Sequence, residues 1–244
     1  MPKPLSARIY IALIIVSGFL LLGNAVLNAR SLPTARSLML LGLAVVAARL
    51  RIKLPGLTGV MSVNLPFILL ACAFTGRLEA LTIGFVSTFA QCLPREPRKL
   101  NLAQITFNCC ALTLAVGAAQ WIYLSPEIAS LVAVPALRLA VAAGVYFVAN
   151  TVLVATVIAL TEPVNVLRTW ADMFQLSFVY LVASAGVAGL AMLAHEITWQ
   201  VSLALLPIML GVYQSHRRWL AAAAPEAVHK VALARSSAAA GAQI

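Results

Sequence analysis

The chain has 244 residues, of which 62% are hydrophobic and only 10% charged, and its mean hydropathy is +0.98. A soluble domain is about half apolar and a quarter charged, so this composition excludes a soluble fold and predicts contact with lipid. The formal net charge of +10 could indicate nucleic-acid binding. However, the basic residues lie in short loops between apolar segments, which is typical of topology signals and of contact with anionic headgroups. We therefore expect a lipid bilayer, and no nucleic acid, as the partner.

Apolar segments follow one another along the chain, separated by short polar or basic loops. A membrane helix needs about 20 residues, and most of these segments approach that length. In chain order they are Ile9–Asn28, Ser37–Ala48, Thr58–Thr75, Leu78–Leu93, Leu102–Leu124, Ala136–Leu160, Met173–Ala194 and Ile197–Tyr213. The sequence thus predicts an all-α, polytopic helical membrane bundle of about eight segments over residues 1–219. Residues 220–244 are predicted to form a short Ala-rich tail.

Lysine and arginine positions predict the orientation of this bundle. If both termini are cytoplasmic, thirteen of the 17 Lys and Arg residues lie on the cytoplasmic side, and the four outside are Arg30, Arg36, Arg77 and Arg138. This asymmetry has the sign of the positive-inside rule. If the short second segment were re-entrant, every later loop would invert and the bias would reverse. We therefore expect eight crossings, with the tail in the cytoplasm.

The acidic, cysteine and histidine residues show no pattern of a catalytic or metal site. All seven acidic residues lie at segment ends or in loops, whereas proton pumps and ion-coupled carriers place carboxylates near the bilayer centre. The four cysteines lie in apolar runs without the spacing of a zinc or redox motif. The sequence accordingly predicts no enzyme, no metal and no cofactor.

Amide and hydroxyl side chains at membrane depth are the positive signal. Two interpretations remain open. The side chains could be polar contacts between helices, each contributing about 0.6 kcal/mol, or they could line one small-molecule pocket. Pro66 favours a pocket, because a proline inside a membrane segment frees backbone groups that are tolerated only within protein or beside a cavity. The candidate ligand-binding residues are Asn64, Gln91, Asn108, Asn150, Ser62 and Ser87.

A resemblance to a known family rests on four stretches, RLRIKLPG, MSVNLPFILLA, ITFNCCALTLAVGA and VYFVANTVLVA. They resemble the multi-helix membrane input region at the N-terminus of bacterial cyclic-di-GMP signalling proteins with HD-GYP or GGDEF output domains. That region is broadly similar to the substrate-binding membrane components of energy-coupling-factor vitamin transporters. The resemblance covers roughly residues 49–218, and Asn64, Asn108 and Asn150 are the positions that match it.

The resemblance implies a sensor or input module, multi-pass in the bacterial inner membrane, without a catalytic domain of its own. Such a module recognises a small or lipid-like ligand and acts through a signalling partner protein. A second interpretation is the small-molecule-binding subunit of a transporter, with a transporter protein as its partner. A third is an accessory subunit of a membrane complex that binds no ligand.

Overall fold

The computed structural model describes residues 4–29, 33–53, 60–93 and 101–193, together with seven positions between 207 and 218. The described residues form helices joined by short turns, with one small β-hairpin. The elements are α1 (Leu5–Leu27), α2 (Ala35–Ala48), β1 (Arg51–Lys53), β2 (Val60–Ser62), α3 (Leu65–Phe74), α4 (Arg77–Cys92), α5 (Leu102–Leu124), α6 (Pro126–Leu131), α7 (Pro135–Thr161) and α8 (Val166–Leu193).

Helices α1, α5, α7 and α8 are long and apolar enough to cross a membrane. Four such helices within the described residues indicate a membrane protein and confirm the predicted helical class. Helix α5 has the predicted bounds, and α4 and α7 differ from prediction by one residue at each end. Helix α8 begins before the predicted Met173. Most of the predicted eighth segment, and the tail over residues 220–244, lie outside the described residues.

The predicted third segment, Thr58–Thr75, is not one helix, so this prediction was wrong. Strand β2 and a turn at Val63-Asn64 occupy its described first part, and α3 begins only at Leu65. Ten helical residues span about 15 Å, roughly half of a hydrocarbon core. Pro66 lies in the first turn of α3, where a missing N–H leaves no broken bond. Pro66 therefore begins a helix and does not free backbone groups in the middle of one.

Helix α3 is the centre of the bundle. Every residue from Val63 to Cys72 is buried, and α3 packs against α2, α4, α5, α7 and α8. A helix that is apolar on all sides must be buried in protein or in lipid, and here the neighbouring helices enclose it. Phe67, Ile68, Leu69 and Leu70 fill the space between these neighbours, each with no exposed surface.

Strands β1 and β2 form an antiparallel hairpin between α2 and α3, with Arg51 opposite Ser62. The hairpin thus leads the chain back into the bundle after α2 ends. It also sets the position from which α3 starts.

Helices that are consecutive in the chain run in opposite directions. Arg36 stacks on Phe74, which brings the start of α2 to the end of α3, and Arg138 stacks on Tyr123, which brings the start of α7 to the end of α5. Trp170 Nε1, near the start of α8, donates to a hydroxyl in the second half of α7 (3.1 Å). Gln120 near the end of α5 bonds the Thr75 carbonyl at the end of α3, and Asn64 before α3 bonds Ser87 late in α4. Helices α3, α5 and α8 therefore run one way, and α2, α4 and α7 the other.

Helix α1 runs parallel to α5 and lies very close to it. A Cβ placed on Gly18 would lie 2.5 Å from Cys110 Cβ, and one placed on Gly117 would lie 2.7 Å from Leu21 Cδ2. Only glycine at position 18 allows so close an approach, because the clash there is with Cys110 Cα and Cβ, whereas the Leu21 side chain can move away from position 117. The outward face of α1 carries large exposed apolar side chains that suit lipid.

Candidate functional site

Four of the predicted site residues meet where the hairpin, α3 and α4 come together. Ser62 ends β2, Asn64 directly precedes α3, and Ser87 and Gln91 lie one turn apart on α4. Ser62, Asn64 and Ser87 are at most 6% exposed, so water reaches none of them freely. We call Ser62, Asn64, Ser87 and Gln91 the polar cluster.

The polar cluster is connected by hydrogen bonds. Asn64 Nδ2 donates to Ser87 Oγ (3.1 Å), and Ser87 Oγ donates to the carbonyl of Gly84 (3.2 Å). Ser62 Oγ lies 2.8 Å from both Asn64 Oδ1 and Gln91 Oε1. Because a hydroxyl has only one proton, Ser62 donates to one of these two amide oxygens at a time. Ser62 thus connects Gln91 on α4 with Asn64 before α3.

Tyr180 on α8 completes the site from the opposite side. The backbone N–H of Leu65, the first residue of α3, donates to Tyr180 Oη (3.4 Å). Asn64 makes no side-chain cap to α3, because its amide is used within the polar cluster. A tyrosine from another helix thus accepts one of the N–H groups that a helix start leaves without a partner.

The sequence analysis did not select Tyr180, although a signal for it was present. Ser177, Tyr180 and Ser184 follow one another at spacings of three and four residues, and all three are buried. A polar stripe at that spacing on an apolar helix predicts one inward face. We therefore add Tyr180 to the candidate site.

Two arginines attach the hairpin to the end of α4. Arg49 Nη1 donates to the carbonyl of Ala90 (3.1 Å), and Arg51 Nη2 donates to the carbonyls of Ala90 (3.4 Å) and Leu93. The last carbonyls of a helix lack partners within the helix and carry partial negative charge, so guanidinium groups bind them well. These bonds hold the hairpin beside Gln91, which lies between Ala90 and Leu93.

The hairpin also contacts the last described residues of the chain. Tyr213 Oη donates to the carbonyl of Arg51 (3.3 Å). Because Arg51 pairs with Ser62 across the hairpin, the residues near Tyr213 are connected to the polar cluster through one pair of strand residues.

The other two predicted site residues lie apart from the polar cluster. Asn108 on α5 is half-buried, and its Nδ2 lies 3.7 Å from Cys92 Sγ. Asn150 on α7 is half-buried as well, and its neighbour Thr151 makes the contact to α8 through Trp170. The structure therefore brings Ser62, Asn64, Ser87 and Gln91 together but leaves Asn108 and Asn150 outside their hydrogen-bonded set.

The arrangement is suited to hydrogen bonding with a neutral polar group. Within the part of the chain that the structure describes, no three His, Cys, Asp or Glu side chains are grouped to hold a metal ion. No family model matches the sequence, and neither the curated proteins nor the solved structures contain a match. The resemblance to cyclic-di-GMP input regions thus stays a prediction.

The stability of the polar cluster can be tested with Asn64→Leu. This change leaves Ser62 and Ser87 without their shared partner in a buried place, so we expect a loss of about 1–3 kcal/mol. Adding Ser87→Ala to Asn64→Leu should cost little more, because the two residues act in one network. Thermal unfolding of the purified protein in detergent measures both effects.

Gln104→Leu is the matched control, since Gln104 is an exposed amide on α5 and its loss should change stability by less than about 0.5 kcal/mol. Equal destabilisation by Asn64→Leu and Gln104→Leu would show that the network contributes nothing specific.

Proposed function

We propose that this protein is a membrane sensor or input module that recognises a small or lipid-like ligand at the polar cluster. One observation carries the proposal: the polar cluster, the hairpin and Tyr213 form a continuous series of contacts. Ser62 belongs to the cluster and pairs with Arg51, whose carbonyl accepts the hydrogen bond from Tyr213. A change at the cluster can therefore reach the end of the last segment through the hairpin.

Exchange of hydrogen bonds explains how a ligand could act there. A ligand hydroxyl, amide or carbonyl can replace one member of the polar cluster, bond for bond, so the exchange costs little. Ser87 keeps its bond to the Gly84 carbonyl when Asn64 turns away. A ligand biases two such arrangements only by its different affinity for each. The two arrangements would differ in the positions of the Asn64 and Ser62 side chains.

The proposal includes eight crossings of the bacterial inner membrane with both termini in the cytoplasm. It is supported by the alternating directions of α2, α3, α4, α5, α7 and α8 and by the excess of Lys and Arg on one side. In this orientation the hairpin and the polar cluster face the cytoplasmic half, and Arg36, Arg77 and Arg138 lie outside. The partner is then a cytoplasmic signalling protein.

Reporter fusions test this orientation at four places. Fusions within residues 95–101 and in the tail from residue 220 should report the cytoplasm, because those regions carry basic residues. Fusions within residues 31–35 and 195–198 should report the outside. An external signal from residue 220 would contradict the eight-segment topology.

A transporter subunit is the second candidate function. The observation that favours it is Gly186 on α8, where a Cβ would meet no atom of the described residues within 4 Å. Small residues on an outward helix face allow another membrane helix to approach closely. An accessory subunit would use the same face without any ligand.

A chimera tests the sensing role directly. Residues 1–220 would be fused to a diguanylate cyclase domain in cells that lack other cyclases, and cyclic-di-GMP would be measured with and without a total membrane-lipid extract. We expect the extract to change output at least about threefold with the native sequence. Asn64→Leu should abolish the response, and Tyr213→Phe, which removes only the hydroxyl that contacts Arg51, should reduce it at unchanged protein level.

Gln104→Leu serves as the control and should respond like the native sequence. If the cyclic-di-GMP output never changes and an ATPase module copurifies stoichiometrically with the tagged chain, the sensing role is contradicted and the transport role is supported.

A further inference from the structure

A second group of polar side chains lies at the opposite end of α3 from the polar cluster. Gln120 on α5 is only 2% exposed, and its Nε2 donates to the carbonyls of Cys72 (3.4 Å) and Thr75 (3.2 Å). These carbonyls belong to the last turn of α3 and the residue after it, where intrahelical partners are missing. The two bonds fix the orientation of the amide, because a turned amide would set its oxygen against two carbonyl oxygens.

The fixed amide leaves one buried atom without a partner. Gln120 Oε1 is buried and accepts no hydrogen bond from any described residue. Arg138 Nε on α7 is buried as well and donates no hydrogen bond to any described residue. Tyr123 connects them: it follows Gln120 by one turn on α5, and the Arg138 guanidinium lies 5.4 Å above its ring. One unpartnered acceptor and one unpartnered cationic donor thus belong to one corner of the bundle. We call Gln120, Tyr123 and Arg138 the Gln120 corner.

The acidic residue between α5 and α7 does not supply the missing partner. The Glu127 carboxylate accepts a hydrogen bond from Ser125 Oγ, which lowers the pKa of Glu127 below its ordinary value. Ser125 Oγ in turn accepts from the backbone N–H of Ile128 and begins α6. Glu127 therefore takes part in the cap of α6, and the Nε–H of Arg138 is left without an acceptor among the described residues.

We propose that the Gln120 corner binds a small carboxylate that also carries a hydroxyl or ammonium group. A guanidinium N–H is best matched by a carboxylate, and Gln120 Oε1 can accept only from an O–H or N–H group. A hydroxycarboxylate or amino acid supplies both within one small molecule. Gln120 lies one turn from the end of α5 and Arg138 in the first turn of α7, so the corner is close to the bundle surface.

The site is separate from the polar cluster and does not depend on the proposed sensing role. Arg138 is half-buried as a whole, and its Nε is covered. A ligand would enter by displacing the Arg138 side chain from its present position.

Thermal unfolding of the purified full chain tests the proposal with two probes of similar size. Sodium lactate carries a hydroxyl beside its carboxylate, and sodium propionate lacks it; sodium chloride keeps the ionic strength constant. We expect lactate to raise the unfolding midpoint in a saturable way and propionate to need about tenfold more for the same shift, since one hydrogen bond is lost. Arg138→Gln should remove both shifts, and Gln120→Met should make the two probes equal.

Arg36→Gln is the matched control. Arg36 also stacks on an aromatic ring at this end of α3, with its guanidinium 5.5 Å above Phe74, so its variant should respond to lactate like the native chain. If Gln120→Met fails to fold, the proposal is tested by comparing the lactate-induced midpoint shift of Arg138→Gln with that of Arg36→Gln. The absence of any midpoint shift, which a corner holding only water would give, would overturn the proposal. Equal midpoint shifts by lactate and propionate in the native chain would also overturn the proposal. The same is true if Arg138→Gln and Arg36→Gln lose the lactate shift to the same extent.

Discussion

The start of α3 inside the bundle is the constraint on which the rest of the structure depends. Backbone N–H groups at a helix start have no partners within the helix, and lipid offers none. Here Leu65 donates to Tyr180, and Pro66 has no N–H to satisfy. Ile68 donates to the carbonyl of Asn64 as the first intrahelical bond (3.2 Å). The Asn64 side chain is thereby free to join Ser62 and Ser87.

The hairpin before α3 depends on the same contacts. Two strands of three residues are too short to be stable alone. Ser62 binds the hairpin to Asn64, and Arg49 and Arg51 bind it to the last carbonyls of α4. The polar cluster is therefore the place where the hairpin, α3 and α4 are joined. It is thus the structural junction of these three elements.

The sequence predicted long helices well and the region around α3 poorly, for a physical reason. Helix α5 is bounded by Asn101, whose side chain accepts from the Gln104 N–H, and by Ser125 and Pro126. Residues adjacent to each end therefore determine where this helix begins and ends. By contrast, the run from Val60 to Phe74 is apolar except for Ser62 and Asn64, and a buried strand and a buried helix cannot be distinguished by periodicity. The prediction of one long helix there failed for that reason.

The local sequence predicted the proximity of some site residues but not of those brought together by the packing of distant helices. Ser87 and Gln91 share a helix face, which their spacing predicts, and Asn64 lies close to them because α3 and α4 are joined by a tight turn. Tyr180 is distant in sequence from Leu65, and only the packing of α3 on α8 brings the two together. Asn108 and Asn150 matched the family resemblance, but they lie outside the hydrogen-bonded set, and Asn108 contacts Cys92 instead.

Hydrogen exchange of the backbone amides in Arg51–Lys53 and Val60–Ser62 tests the junction most directly. If the polar cluster holds the hairpin, Asn64→Leu should speed exchange of these amides by about tenfold or more, since losing one or two buried hydrogen bonds lowers the local opening free energy by that much. The amides of α7 should exchange as in the native chain. Unchanged exchange in the hairpin, or an equal increase throughout the chain, would contradict the account.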